Sequence, residues 1–174
     1  MASPEIVALT TPVVRQVQIR EIFLRWSKLE RQAGRELPGE VAVRFGFKVK
    51  SSLDRDAKDL NVDTIFTADA TDTKTESPVF RAEADFAVAY QLKSLDGIGD
   101  DNVKAFGRMN GVFNTWPYWR EFVQSGVARM GLPNVTLPVL TAPMLVKMYA
   151  EEDAKEAAKE EAAASLEEVK ADSD

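Results

Sequence analysis

The side chains that most often act as nucleophiles, general bases or transition-metal ligands are missing from this sequence. None of its 174 residues is a cysteine or a histidine. Disulfides, thiol nucleophiles, imidazole bases and zinc sites made from these residues are therefore excluded. Carboxylate, lysine, hydroxyl or phenol chemistry would remain, but no catalytic arrangement of such residues is recognisable. We therefore expect a protein that is not an enzyme and that uses no cofactor.

Two short motifs contain residues that could bind an ion or a phosphate, and neither has the required spacing. The aspartates between residues 54 and 69 lack the Asp-x-Asp-x-Asn-Gly order of a calcium loop. Gly97 and Gly99 precede a possible helix, but the third glycine and the lysine of phosphate-binding loops are absent. A turn between a strand and a helix explains these glycines fully. The sequence predicts no metal site.

The charge of the chain is concentrated near its C-terminal end. Residues 151–174 carry ten acidic side chains and three lysines, whereas residues 1–150 have a net charge of +1. We expect one domain over 1–150, followed by an acidic tail over 151–174 that is a frayed helix or a disordered extension. Because no basic stripe is present, nucleic acid is not an expected partner. No membrane-spanning run or signal peptide is recognisable, so we expect a cytoplasmic protein without stable membrane insertion.

Alternation of apolar and polar residues predicts four β-strands. The clearest strand covers residues 79–92, and two others cover residues 40–50 and 61–70. The first strand, over residues 14–26, changes phase midway. This change indicates either a β-bulge near Glu21 or burial of both faces by a partner chain. Since the polar residues share one face, the pattern favours an antiparallel sheet with one face in water.

Helical spacing follows the last predicted strand. The sequence predicts a long helix from about Asp100, which Pro117 ends or kinks because proline lacks the backbone N–H. Gly107 and Gly111 lie four residues apart on it, either as tolerated glycines or as a groove for another backbone. A shorter helix begins near Thr141. The predicted fold class is α+β: a four-stranded antiparallel sheet with a long kinked helix and a shorter C-terminal helix packed on one face.

The segment between the two predicted helices, Leu132 to Leu140, is unusually apolar for a loop. Pro133 and Pro138 prevent regular secondary structure, and its leucines and valines would be costly to leave in water. A loop of this composition either covers an apolar surface or waits to be covered.

Two motifs resemble the SecB family of protein-export chaperones. The stretch Trp-Pro-Tyr-Trp-Arg-Glu at residues 116–121 is similar to the family's aromatic-Pro-Tyr-x-Arg-Glu motif in the long helix. Gly-Leu-Pro at residues 131–133, with alternating apolar residues up to Val139, is similar to the loop that follows in the family. The strand that includes residues 17–23 also resembles the family's first strand. The resemblance covers nearly all of residues 14–150, and its specificity depends on residues 116–139.

The resemblance implies an ATP-independent chaperone that binds unfolded preproteins in apolar grooves and hands them to the translocase motor SecA. It also implies a homotetramer, assembled as a dimer of dimers. Such grooves need long apolar surfaces lined by adaptable side chains. The candidate groove residues are Val41, Val43, Phe45, Trp116, Leu132, Val135, Leu137, Val139, Met144 and Met148. Ordinary core packing is the alternative role for all of them.

In typical family members an acidic surface of the sheet contacts SecA. The candidate contacts in this sequence are Glu30 and Glu83, whereas Trp26 occupies a position that is usually acidic and Arg81 one that is usually apolar. Two alternatives to an export chaperone therefore stay open. One is a SecB-like chaperone dedicated to an antitoxin or another single client. The other is a tetrameric scaffold whose loop is permanently buried against a dedicated partner.

Overall fold

The computed structural model describes residues 4–34 and 39–151, which form a helix, four strands and two further helical regions. The first elements are α1 (Pro4–Val14), β1 (Val17–Arg31), β2 (Val41–Asp54), β3 (Asp59–Asp72) and β4 (Pro78–Leu92). The long helix then runs without a break through α2 (Asp100–Phe106), a π-helical segment (Gly107–Gly111) and α3 (Val112–Arg129). A shorter helix, α4, covers residues 142–151.

The chain divides into two compact units between Val139 and Leu140. The first unit contains the sheet, the long helix and the irregular segment of residues 132–139, which we call the connector. The second unit contains α4, where the Thr141 hydroxyl oxygen accepts a hydrogen bond from the backbone N–H of Met144 at 3.4 Å. The boundary predicted at residue 150 stays a prediction, and the acidic tail lies outside the described residues from residue 152 onward.

The four strands form one antiparallel sheet in the order β1-β4-β3-β2. The central strand β3 alternates as the sequence predicts, with every second residue from Leu60 to Ala70 buried. We call this the helix face, because the long helix packs against it, and we call the opposite surface the outer face. Ile65 lies on the outer face, where it is exposed to 36%. β1 and β2 are the edges of the sheet.

β1 contains two β-bulges in its pairing with β4. The first leaves Arg20 as the extra residue and confirms the bulge predicted near Glu21. The second, at Arg25, was not predicted. Both arginines cross to carboxylates of β3, with Arg20 at 3.4 Å from Asp59 and Arg25 at 2.9 Å from Asp63. The bulges therefore bring two edge-strand cations over the outer face of the sheet.

The long helix approaches the helix face closely at two glycines. A Cβ atom on Gly107 would clash with the Ser51 side chain, and one on Gly111 would clash with Val62. The glycines thus accommodate side chains of the sheet, and not the backbone of another segment. The backbone is π-helical at this contact, whereas Pro117 lies inside α3. The helix therefore does not end at Pro117, and its π-helical segment lies about two turns before this proline.

Helix α1 was not predicted from the sequence. Its Val13 is fully buried in the core beneath it, and the Asn102 side-chain amide donates a hydrogen bond to the backbone oxygen of Leu9 at 2.9 Å. The other members of this core cluster are Leu60, Val62, Val88, Tyr90, Leu92, Ile98, Val103 and Phe106. Across residues 4–34 and 39–151, no helix has both the length and the apolar character that a membrane span needs.

Candidate functional site

A cleft of about 450 Å³ lies between the first half of β2 and the connector. One wall is the helix face of an edge strand, and the other wall is residues 133–138. Five of the predicted groove residues line this cleft together: Val41, Val43, Phe45, Val135 and Leu137. The β2 members are only half-buried, so the cleft offers apolar surface to a ligand.

An aromatic cluster supports the strand wall of the cleft. Trp116 is buried and does not line the cleft, but its ring lies 5.3 Å from the ring of Phe45 and 5.7 Å from that of Phe66. The ring of Trp119 stacks on Phe66 at 5.5 Å. Aromatic contacts of this kind hold large side chains in fixed positions. Trp116 therefore supports the wall, whereas the sequence predicted it as a groove residue.

Two side chains of α3 fasten the connector to the long helix. The Trp116 indole N–H donates a hydrogen bond to the backbone oxygen of Pro138 at 3.0 Å. Arg120 Nε donates to the backbone oxygen of Leu137, also at 3.0 Å. Because Pro133 and Pro138 prevent regular backbone pairing, these side chains satisfy carbonyl groups that would otherwise need water. Arg120 was not among the predicted site residues.

The connector itself alternates like a strand, although it pairs with none in the described chain. Val135 and Leu137 are buried, while Asn134 and Thr136 between them are exposed. Six further residues line the cleft, none of which was predicted as a groove residue: Gly39, Glu40, Pro133, Asn134, Thr136 and Pro138. The alternation of polar and apolar residues over 134–137 was the sequence signal that could have indicated the polar lining residues Asn134 and Thr136. The cleft therefore has an apolar interior with polar groups at its opening.

Besides Trp116, four other predicted groove residues do not line this cleft. Leu132 is buried, and Val139 is exposed to 68%. Met144 and Met148 are half-buried residues of α4, in the second unit. Their assignment to a groove stays a prediction.

The two candidate SecA contacts lie on the outer face, and both are ion-paired. Glu30 lies 3.0 Å from Lys28, and Glu83 lies 2.7 Å from Arg81. Arg81 also contacts Asp69 at 3.3 Å. The hydrogen bond to Glu83, with the charge of Asp69, raises the pKa of Arg81 above its usual value. Both candidate SecA contacts thus have a basic partner within the chain.

A buried carboxylate lies at the centre of the outer face. Asp85 is only 4% exposed, and its Oδ1 has no hydrogen-bond partner in the structure. Burial raises the pKa of Asp85, although Arg25 lies 3.6 Å from Oδ2 and lowers it. The negative charge of Asp63 also raises the pKa of Asp85. Within residues 4–34 and 39–151, no group of three or more acidic side chains is arranged to hold a metal ion.

Comparison with known proteins gives no match to a family model. Two curated relatives from Mycobacterium tuberculosis are 34% identical to this chain over 79 residues: SecB-like chaperone Rv1957 (strain H37Rv) and SecB-like chaperone MT2006 (strain CDC 1551). The matched segment spans 43% of this chain and 44% of each relative, less than half of their length.

A solved structure covers much more of the chain. The Rv1957 SecB-like chaperone, in complex with a ChAD peptide from the antitoxin HigA1, matches with a TM-score of 0.70 at 20% sequence identity. The match covers 77% of this chain and 97% of that chain. The fold is SecB-like. The SecB-like topology confirms the predicted α+β class, with its four-stranded antiparallel sheet, long helix and shorter helix, and confirms the resemblance found in the sequence.

Proposed function

We propose that this SecB-like chain is an ATP-independent chaperone that binds extended segments of unfolded polypeptides in the cleft between β2 and the connector. The observation that carries the proposal is the half-buried apolar face of Val41, Val43 and Phe45 opposite a fastened apolar wall. An extended chain is thin enough to enter such a cleft, whereas a folded domain is not. The SecB-like fold and the chaperone names of both curated relatives support this function.

Refolding of a denatured protein tests the proposal, with two variants of neighbouring residues on β2. Val43→Gln places an amide in the cleft, whereas Ala42→Gln places the same group on the exposed outer face. The wild-type chain and Ala42→Gln should delay refolding at near-stoichiometric amounts, and Val43→Gln should not. Equal activity of the two variants would show that the cleft is not the binding site. No delay by the wild-type chain with any client would favour the scaffold alternative.

The identity of the client is a finer part of the proposal, and we favour a dedicated client of the antitoxin kind. The ion pairs of Glu83 with Arg81 and of Glu30 with Lys28 reduce the free acidic surface through which, by the resemblance, SecA would bind. Handing unfolded preproteins to SecA, through Glu30 and Glu83, is the competing assignment. A dedicated chaperone should protect one client and fail with unrelated denatured proteins, whereas an export chaperone should protect several.

Capture of purified SecA separates the two assignments. We expect no capture by the wild-type chain above the level seen with Glu83→Lys, because Arg81 already occupies that carboxylate. The export role would be established instead if the wild-type chain captured SecA, Glu83→Lys abolished the capture, and the same charge reversal at a distant site, Glu5→Lys, left it intact.

We also propose that the chain assembles as a homotetramer in the cytoplasm. Large apolar side chains at the open edge of β1 are exposed by more than two-fifths of their surface: Ile19, Phe23, Leu24 and Trp26. By register, Ile19 and Leu24 lie on the helix face and Phe23 and Trp26 on the outer face. A second copy added at this edge would cover apolar side chains on both faces, which monomers rarely expose to water. Burial of both faces, together with the two bulges, would account for the phase change in the sequence of β1.

A further inference from the structure

Edge strand β2 has an open side and carries cations on its outer face. Within the described chain it pairs with β3 alone, so its other side takes part in no strand pairing and can receive an added strand. Arg44, Lys48 and Lys50 are exposed and share the outer face of this strand. Val41, Val43 and Phe45 lie on its opposite face, in the cleft.

The carboxylates that lie nearest to these cations along β3 have other partners. Asp69 is paired with Arg44 in the strand register, but its Oδ1 contacts Arg81 at 3.3 Å. Asp63 is paired with Lys50, but its Oδ2 contacts Arg25 at 2.9 Å. Among the described residues, no carboxylate lies within ion-pair distance of the three β2 cations. The outer side of β2 therefore keeps cations without an ion-pair partner, although Arg44 shares a surface pocket with the carboxylates of Asp69, Asp72 and Glu76.

This charge selects the strand that can pair with β2. A second copy of β2 would bring lysines and arginines beside one another, and like charges on neighbouring strands are unfavourable. A strand with acidic side chains on the outer face would place carboxylates about 5 Å from the β2 cations, counted between Cβ atoms. Because successive side chains of a strand alternate, the residues between those acids would enter the apolar cleft.

We propose that the chaperone binds its client by strand addition to β2 and prefers segments in which apolar and acidic residues alternate. This inference rests on the proposed chaperone function and names its substrate class. Main-chain hydrogen bonds to β2 hold the segment, the cleft takes its apolar side chains, and Arg44, Lys48 and Lys50 take its carboxylates.

Binding of ten-residue peptides tests the preference. One peptide alternates Val and Glu, a second replaces each Glu by Gln, and a third groups the same Val and Glu residues in two blocks. The alternating Glu peptide should bind about tenfold more tightly than the Gln peptide, as three exposed ion pairs allow. This advantage should shrink as salt rises. The block peptide should bind no better than the Gln peptide. Because its glutamates are consecutive, every second one would have to point into the apolar cleft.

A matched pair of chain variants ties the preference to β2. Lys48→Glu combined with Lys50→Gln should abolish the advantage of the Glu peptide; Lys48 faces Ile65 on β3, so its reversal creates no repulsion in that pair. Lys93→Glu combined with Lys104→Gln makes the same charge change at exposed sites outside the sheet and should leave the advantage intact. Circular dichroism and thermal unfolding confirm that each variant folds.

Each contrary result has one meaning. If the Glu and Gln peptides bind equally, or the block peptide matches the alternating one, the preference is overturned while the chaperone function stands. If no peptide binds but client refolding is still delayed, strand addition is overturned and the chaperone function again stands. If client refolding is not delayed either, both proposals fail.

Discussion

The indole N–H of Trp116 lies 3.0 Å from the backbone oxygen of Pro138, and this hydrogen bond joins the long helix to the connector. The same ring packs against Phe45 on the opposite wall of the cleft. One side chain thus fixes the position of both walls. A cleft that is formed before a client arrives loses less entropy on binding than one that must be ordered by the client.

Replacing Trp116 by Phe should loosen the connector. The substitution keeps an aromatic ring but removes the hydrogen bond to Pro138, at a cost of about 1 kcal/mol. We expect faster amide hydrogen exchange in residues 132–139, measured by mass spectrometry. Trp119→Phe is the matched control, since the Trp119 indole N–H has no hydrogen-bond partner in the structure. Equal exchange of the connector in both variants would show that the hydrogen bond does not hold it.

Replacing Gly111 by Ala should destabilise the fold, because the added methyl group meets the Val62 side chain. Overpacking of this kind costs about 1–3 kcal/mol, measured by urea unfolding. Val62→Ala makes room for that methyl group, so the double variant should be more stable than the sum of the two single effects predicts. Strict additivity in this cycle would mean that the long helix does not pack on Val62 as described.

Replacing Asp85 by Asn should not destabilise the protein at pH 7. Because burial raises the folded-state pKa of Asp85 above 3.8, its stabilising contribution is fully present below that pH and is lost as the pH rises through the folded pKa. Asn stays neutral, so thermal unfolding of the variant should lack this loss. Asp63→Asn is the control: Asp63 contacts Arg25 at 2.9 Å, and its neutralisation should lower stability slightly. A greater loss with Asp85→Asn than with Asp63→Asn at pH 7 would contradict the assignment.

Replacing Leu24 by Asp should dissociate the proposed tetramer, because this exposed side chain lies on the open edge strand β1. Ile65→Asp also replaces an exposed apolar side chain by a carboxylate. It lies on β3, which has a neighbouring strand on each side and therefore cannot pair with another copy. Light scattering after size-exclusion chromatography should give a lower mass for Leu24→Asp alone. A wild-type monomer, or dissociation by Ile65→Asp only, would be inconsistent with assembly through β1.

The strands were predictable because each central strand obeys one period. Residues 60–70 alternate strictly, and the extra residue in β1 changed the phase of its pattern enough to indicate a bulge near Glu21. Helix α1 was not predictable in this way. Its segment has almost no charged residues to mark a polar face, and it includes Pro12, which normally argues against a helix.

The position of the helix irregularity depended on tertiary contacts that no local pattern reports. Proline carries a strong local preference, so Pro117 was the natural place to expect a break. The helix continues through Pro117 and is π-helical at Gly107–Gly111, where its backbone approaches Ser51 and Val62. These contacts join residues about fifty positions apart along the chain.

The candidate site was predictable in composition and less so in geometry. The apolar character of the connector marked it as functional, and Val135 and Leu137 do line the cleft. Arg120 could not be predicted to bind the connector, because its acceptor is the backbone oxygen of Leu137. No side-chain pattern in the sequence indicates which backbone oxygen an arginine will contact. Val139 shares the apolar character of its neighbours but is mostly exposed, since two consecutive outward-facing residues end the alternation at Pro138.

Amide hydrogen exchange of the chain with and without a denatured client tests the central claim most directly. If extended segments bind between β2 and the connector, the client should slow exchange in residues 41–45 and 133–138. The effect should disappear in Val43→Gln and persist in Ala42→Gln. Unchanged exchange in both segments, in the presence of a client whose refolding the chain delays, would place client binding elsewhere and contradict the account.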